Sequence, residues 1–346
     1  MPKRIRNTKL IWLGVNILMV ILMIIIGGIT RLTDSGLSMT EWNLIGDIIP
    51  PINDLIWLDI FNQYKQFPEY NLTNPNMTLE EFKKIFFWEY IHRLWGRLIG
   101  LTFFIPLLYI WVKDWFTRTE KKYVVLLTFL GFLQAFLGWY MVKSGLIDKP
   151  DVSHFRLSTH LTTAFLIYSI LLYFFCVIYS DKKLNQRIPP IFRLKEHKKK
   201  IQISLLLLYI TIAAGALVSG TDAGLSYNTF PLMDENFLPP ILLSTETLKL
   251  EVLLNDQGFL QFFHRILATT TLLFVLHTIF KAKKDNFFKN FQFLYYSLFS
   301  ILIFQYSLGI ILLKLYVPIF LGLLHQLGAL TILSLLIISL YQSCKE

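Results

Sequence analysis

Residues 90–112 read YIHRLWGRLIGLTFFIPLLYIWV, an apolar run broken only near its start by His92, Arg93 and Arg97. The run shows none of the period-2 alternation of a half-buried strand, and it is long enough to cross a hydrocarbon core of about 30 Å as a helix. Seven more runs of the same kind lie at about 10–29, 123–142, 157–179, 201–219, 261–280, 291–313 and 317–341. A helix satisfies its own backbone groups in lipid, whereas an open sheet edge does not. The predicted fold is therefore an all-α integral membrane protein of eight transmembrane helices. Composition agrees: 54% hydrophobic, 16% aromatic and only 16% charged residues exclude an ordinary soluble domain. Lys3, Arg4, Arg6 and Lys9 precede the first run, but its length and the lack of a small-residue cleavage pattern read as a retained helix, not a signal peptide.

A formal charge of +10 invites a nucleic-acid reading until the 33 Lys and Arg are placed. Twenty-one fall in the N-terminal tail, the alternate loops 113–122, 181–200 and 281–290, and the C-terminal tail, against nine in the other loops. That asymmetry is the positive-inside pattern. It predicts both termini cytoplasmic, the long segments 30–89 and 220–260 outward, contact with membrane lipid and no nucleic-acid partner. Lys198, Lys199 and Lys200 read as an orientation signal on a solvated loop. Cys176 and Cys344 are the only cysteines. Neither can staple an outward loop, so no structural disulfide and no Cys-ligated metal is expected.

Internal repetition organises the chain. Thr33-Asp34-Ser35-Gly36-Leu37-Ser38 follows the first run, and Thr221-Asp222-Ala223-Gly224-Leu225-Ser226 follows the fifth. His92-Arg93 opens the second run as His264-Arg265 opens the sixth. Gln134, Leu137 and Gly138 recur as Gln305, Leu308 and Gly309, and His160 recurs as His325. Four landmarks in one order describe two tandem four-helix bundles. Predicted boundaries are 1–180, a basic cytoplasmic linker 181–200, and 201–346. An even number of spans per copy keeps both copies in one orientation, related by a pseudo-two-fold axis along the membrane normal. The Thr-Asp-x-Gly-Leu-Ser segments read first as helix caps and turns, with contact to a bound group as the alternative.

Ionisable groups within spans mark functional sites. His92 with His160, and His264 with His325, lie near the outward ends of facing helices, and heme iron accepts imidazole on both faces. Two bis-histidine heme sites are the reading that explains one pair per half. Separate hydrogen-bonded histidines are the plainer alternative. A small residue stands four positions after each histidine: Gly96, Ala164, Ala268 and Ala329. An i+4 neighbour shares the histidine's face, so it leaves room for a flat macrocycle, although tight helix packing also favours small residues. Arg93, Arg97 and Arg265 are candidate partners of heme propionates, with snorkelling to the interface as the alternative. His154, placed in an outward loop, His197, in a basic cytoplasmic loop, and His277, near a cytoplasmic helix end, have no counterparts in the other half.

The halves differ one turn before the first histidine, where one has Glu89 and the other Gln261. Glu89 shares a helix face with His92, and a partly buried carboxylate can move protons. Pairing with Arg93 is the structural alternative. The asymmetry predicts one heme that is worked upon and one that passes electrons.

The ordered set Glu89-x-x-His92-Arg93, His160, His264-Arg265 and His325, on eight spans in two repeats, resembles the heme A synthase family (CtaA/Cox15) over nearly the whole chain. The resemblance implies oxidation of a methyl group of heme O, by two successive hydroxylations, to the formyl group of heme A for the terminal cytochrome oxidase. It implies heme b as cofactor on His264 and His325. Heme O is implied as substrate, with its iron on His92 and His160 and with Glu89, His92 and His160 as the catalytic set. It further implies a cell (inner) membrane location, and heme O synthase (protoheme farnesyltransferase) and cytochrome oxidase assembly factors as partners. Some members carry a cysteine pair in the first outward loop; this chain has none, so thiol-dependent chemistry is not expected. Rival readings are a diheme b-type membrane electron carrier and a heme transporter.

Overall fold

A computed structural model describes residues 1–41, 48–145, 152–180, 191–243, 249–284 and 291–344. Its helices are α1 (Lys3–Leu32), α2 (Asp54–Tyr64), α3 (Leu79–Val112), α4 (Arg118–Gly145), α5 (His154–Tyr179), α6 (Ile191–Gly220), α7 (Pro240–Leu243), α8 (Leu250–Leu253), α9 (Gln257–Lys284), α10 (Gln292–Lys314) and α11 (Ile319–Ser343). A π-helical turn at Glu69–Thr73 and a 3-10 turn at Ala223–Leu225 complete the regular structure, with one isolated bridge between Met233 and Asn236. Eight of the helices are long and apolar enough to cross a membrane. The chain is an all-α, multi-pass membrane protein.

The helices overrun the apolar stretches because their ends are capped by polar residues outside the hydrocarbon. At the start of α3, Thr78 and Glu81 form a capping box in which the Thr78 N–H donates to Glu81 Oε2 at 2.8 Å. Thr117 and Glu120 repeat the arrangement at α4, the Thr117 N–H donating at 2.7 Å. Asn53 caps α2, and Asp256 accepts from the Phe259 N–H at the start of α9. Where α1 ends, Asp34 takes φ 48° and the Ser35 N–H donates back to the Thr30 carbonyl at 2.9 Å. Asp222 takes φ 53° at the matching place after α6. The left-handed cap residue of each Thr-Asp-x-Gly-Leu-Ser segment is thus the aspartate, whose short polar side chain tolerates that region, and not the glycine.

Two compact units divide within α5. In Ile11–Tyr168, α1 and α3 are tied by the Trp12 Nε1–H donating to the Phe103 carbonyl at 3.1 Å and by the buried Asn16 amide, which donates to Trp12 and Thr102 carbonyls. The segment 30–89, expected as an outward loop, is not a plain loop. Its α2 and the first turns of α3 bury Phe61, Tyr64, Phe82, Phe86 and Tyr90 together. Burial and the neighbouring Glu69 push the Tyr64 hydroxyl above the ordinary phenol range, and it accepts from Asn74 at 3.1 Å.

In the unit formed by Met1–Leu10 and Ser169–Glu346, α6 and α9 meet along a seam of hydroxyls. Thr211 faces Thr271 at 2.7 Å and Ser204 faces Thr278 at 3.3 Å. Of the expected linker 181–200, residues 181–190 lie outside the described residues, and 191–200 are the first turns of α6. His197 is therefore helical and buried, with its Nε2 2.5 Å from the Tyr295 hydroxyl, which is 3.0 Å from Ser339 Oγ. Likewise His154 is the first residue of α5 and not part of a loop.

Candidate functional site

Each unit brings one histidine pair together. His92 on α3 and His160 on α5 belong to one unit, His264 on α9 and His325 on α11 to the other. Backbone geometry explains how the rings are held. A Cβ built on Gly27 of α1 would stand 3.2 Å from His92 Cε1, and one on Gly138 of α4 would stand 3.1 Å from His160 Cε1. In the other unit Gly215 of α6 and Gly309 of α10 face His264 and His325, each at 3.0 Å. Four glycines on four neighbouring helices thus leave the space into which four imidazoles fit. Gly138 and Gly309 were visible as repeat landmarks. Gly27 and Gly215 escaped the sequence reading, although each stands six residues before the repeated threonine, Thr33 or Thr221.

A glutamine on the fourth-helix neighbour completes each second histidine. Gln134 Nε2 donates to the His160 carbonyl at 3.1 Å and lies 3.3 Å from the ring Nε2, and Gln305 Nε2 donates to the His325 carbonyl at 2.8 Å. Nδ1 of His160, His264 and His325 is buried without a hydrogen-bond partner. A buried ring nitrogen with no partner is costly, and an iron ion takes such a lone pair. The donor set of two imidazoles per unit therefore fits a heme in each. Among the described residues there is no group of three or more His, Cys, Asp or Glu that would suit a caged metal ion.

The expected neighbours of the histidines are placed less simply. Glu89, 3% exposed, accepts at Oε1 from Arg93 Nη2 at 2.6 Å and Nε at 3.1 Å, and at Oε2 from the Ser38 hydroxyl at 2.8 Å and the Met39 N–H at 2.7 Å. The ion pair with Arg93, the structural alternative, exists, and Glu89 stands one turn before His92 on α3. Arg93 also donates to the carbonyls of Glu41 at 2.6 Å and Met39 at 2.8 Å. In the second half, Gln261 Nε2 donates to the Ala223 carbonyl at 2.7 Å, and its Oε1 accepts from Arg265 at 2.8 Å. Arg265 then reaches the carbonyls of Tyr227, Thr229 and Leu232 at 3.0, 2.9 and 3.1 Å.

Both arginines thus fasten the segment that follows a Thr-Asp-x-Gly-Leu-Ser cap onto the histidine-bearing helix. Sequence reasoning could not see this, because it depends on where loop carbonyls come to rest. The halves use opposite hydrogen-bond polarity to the same end. A carboxylate accepts from the 38–39 backbone and hydroxyl, whereas an amide must donate to a carbonyl at 223. Arg265 Nε is buried and unpartnered, while the Arg93 Nε is taken by Glu89.

Comparison with known proteins matches the chain to the COX15-CtaA model, described as cytochrome oxidase assembly protein, over residues 10–337. The heme A synthase of Flavobacterium johnsoniae is 39% identical over 99% of this chain and 100% of its own length. That of Rhodospirillum centenum is 42% identical over 96% of this chain and 87% of its own. That of Rickettsia felis is 40% identical over 94% and 95%.

Proposed function

Because the chain belongs to the COX15-CtaA family, we propose that it synthesises heme A as its similar relatives do, with the two histidine pairs as unequal heme sites. It is an enzyme of heme A biosynthesis in a membrane. The diheme electron carrier has no support among the three relatives compared above, each of which bears the name of the synthase.

The reaction assigned to it is oxidation of a methyl group of heme O. Two hydroxylations, together a four-electron oxidation of that carbon by an external oxidant, give a geminal diol, which loses water to leave the formyl group. His92 and His160 hold the substrate in the first half, which we take as residues 1–180. His264 and His325 hold a resident heme b in the second, residues 201–346. When bound, that heme supplies one-electron redox chemistry whose potential the surrounding protein tunes. The chain's own contribution is positional. Gly27 and Gly138 set the two rings, Gln134 orients His160, and the helix walls exclude water from a low-dielectric pocket. Glu89 is the group that holds or moves a proton beside the substrate, passing it through the Ser38 hydroxyl 2.8 Å away. Charge asymmetry of the loops supports an inner-membrane orientation with both termini cytoplasmic and the histidines outward. Heme O synthase and the oxidase assembly factors are the partners this reading implies.

The observation that carries the inequality of the two sites is Glu89 opposite Gln261 in otherwise repeated clamps. Glu89→Ala tests it. Conversion of heme O should fall by two to four orders of magnitude while the resident heme is retained. Wild-type conversion with both hemes bound would remove Glu89 from the chemistry.

A further inference from the structure

The unit Ile11–Tyr168 has a cavity of about 270 Å³ lined by Met39, Thr40, Glu41, Arg93, Trp139, Val142 and Lys143. Arg93 follows His92 in the chain, and Trp139 follows Gly138, the glycine that faces His160. Two of its lining residues are thus chain neighbours of residues that carry or face the rings of the first pair. Any macrocycle between those rings presents one edge to it. In a heme that edge bears two carboxylates, which seek the watery end of a membrane site and a cationic partner there.

Arg93 is poorly placed to be that partner. Its Nε, Nη1 and Nη2 all donate to Glu89 or to the carbonyls of Met39 and Glu41. Lys143 is free of such ties. It is exposed at the last turn of α4, and its Nζ lies 5.0 Å over the Trp139 ring, a contact that steers the ammonium without neutralising it.

The repeat gives a second, independent argument. Gln134, Leu137 and Gly138 align with Gln305, Leu308 and Gly309, and the same register places Lys143 on Lys314. Lys314 is likewise exposed at the last turn of its helix, α10, five residues beyond the glycine that faces His325. Lysine is scarce on this side of the membrane, and Lys314 is the sole cation between residues 285 and 344 apart from Lys289. The one carboxylate lining the cavity, Glu41, is not repeated, since the register of the Thr-Asp-x-Gly-Leu-Ser segments places Thr229 opposite it. What the halves share at this point is a histidine pair, an arginine that fastens the neighbouring segment, and a lysine.

We infer that Lys143 and Lys314 are the ammonium anchors for the carboxylate edge of the heme in the first and second site, at the first in place of Arg93. The inference rests on the heme reading of the two histidine pairs.

The test uses full-length protein in lipid nanodiscs, titrated with iron protoporphyrin IX and with its dimethyl ester. Binding at the first site is identified by the absorbance change that His92→Ala abolishes. Lys143→Met should weaken the free acid about fivefold, the scale of a partly exposed ion pair, and leave the ester unchanged, and Lys143→Arg should restore most of the difference. Lys314→Met should hasten loss of the resident heme and leave the first site alone. Equal affinity of wild type and Lys143→Met for the free acid overturns the anchor while the heme reading stands. An absorbance change that persists in both His92→Ala and His160→Ala overturns both.

Discussion

His160 Cε1 lies 3.1 Å from the point where a Cβ would stand on Gly138. That is tighter than most real Cβ contacts, so a side chain at 138 would require the ring to give way by a few tenths of an ångström. The same relation recurs at Gly309 and His325 at 3.0 Å. Gly138→Val should displace the His160 ring, with an overpacking cost of about 1–3 kcal/mol. Heme binding at the first site should be lost while the second is kept, and Gly309→Val should do the converse. Heme content by absorbance, measured on both variants, checks this. Equal loss from both sites in either variant would show that the glycines serve the bundle as a whole.

Glu89 and Gln261 are not interchangeable, although their helices are repeats. Glu89→Gln replaces an acceptor by an amide and sets an N–H against either Arg93 or the Met39 N–H. Gln261→Glu points a carboxylate at the Ala223 carbonyl, which now receives a donor at 2.7 Å. Each should destabilise the protein by about 1–3 kcal/mol, read as a lower midpoint of thermal unfolding in detergent. A neutral or stabilising outcome for Gln261→Glu would contradict the hydrogen-bond polarity described above. Removing Glu89 outright leaves Arg93 buried without its counter-ion. Glu89→Ala should therefore cost more, about 3–5 kcal/mol.

What the sequence made legible follows from the cost of polarity in lipid. Hydrocarbon admits few histidines, so His92, His160, His264 and His325 stood out with their repeat partners before any coordinates. Water imposes no such economy. Segment 30–89 read as a loop, yet Tyr64, Phe82 and Phe86 fold α2 against the start of α3, which begins at Leu79, not at residue 90. The Thr78–Glu81 capping box was a readable start signal, but a search for apolar runs begins only where polar residues end. His197 was misplaced for the same reason: Lys198, Lys199 and Lys200 look solvated, and only tertiary packing puts the ring against Tyr295. The arginines were assigned by type and position alone, and a guanidinium takes whichever acceptors the fold supplies.

The outward cluster gives a prediction about local stability. Tyr64 and Phe82 are fully buried with ring centroids 4.9 Å apart. Phe82→Ala should cost about 3–5 kcal/mol locally. Hydrogen exchange of the amides in 54–82 should accelerate accordingly, with the protection of α9 to α11 unchanged. Exchange that rises evenly over the whole chain would mean that this cluster does not open as a unit.

Along α6 and α9 the polar residues are spaced by seven: His197, Ser204 and Thr211 on one, His264, Thr271 and Thr278 on the other. The Thr211 hydroxyl donates to the Leu207 carbonyl at 2.8 Å and accepts from Thr271 at 2.7 Å. Thr211→Val alone leaves the Thr271 hydroxyl without that acceptor, whereas Thr211→Val with Thr271→Val removes donor and acceptor together and keeps the volume. The two substitutions should therefore be less than additive. Hydrogen bonds between membrane helices couple by about 0.6 kcal/mol on average and about 1.7 at most, so the double-mutant cycle should return a coupling in that range. Unfolding of the four proteins in mixed micelles measures it. Strict additivity would mean that the hydroxyls find other partners, and that close backbone approach, with Ala214 and Ala216 buried on α6, holds the two helices together.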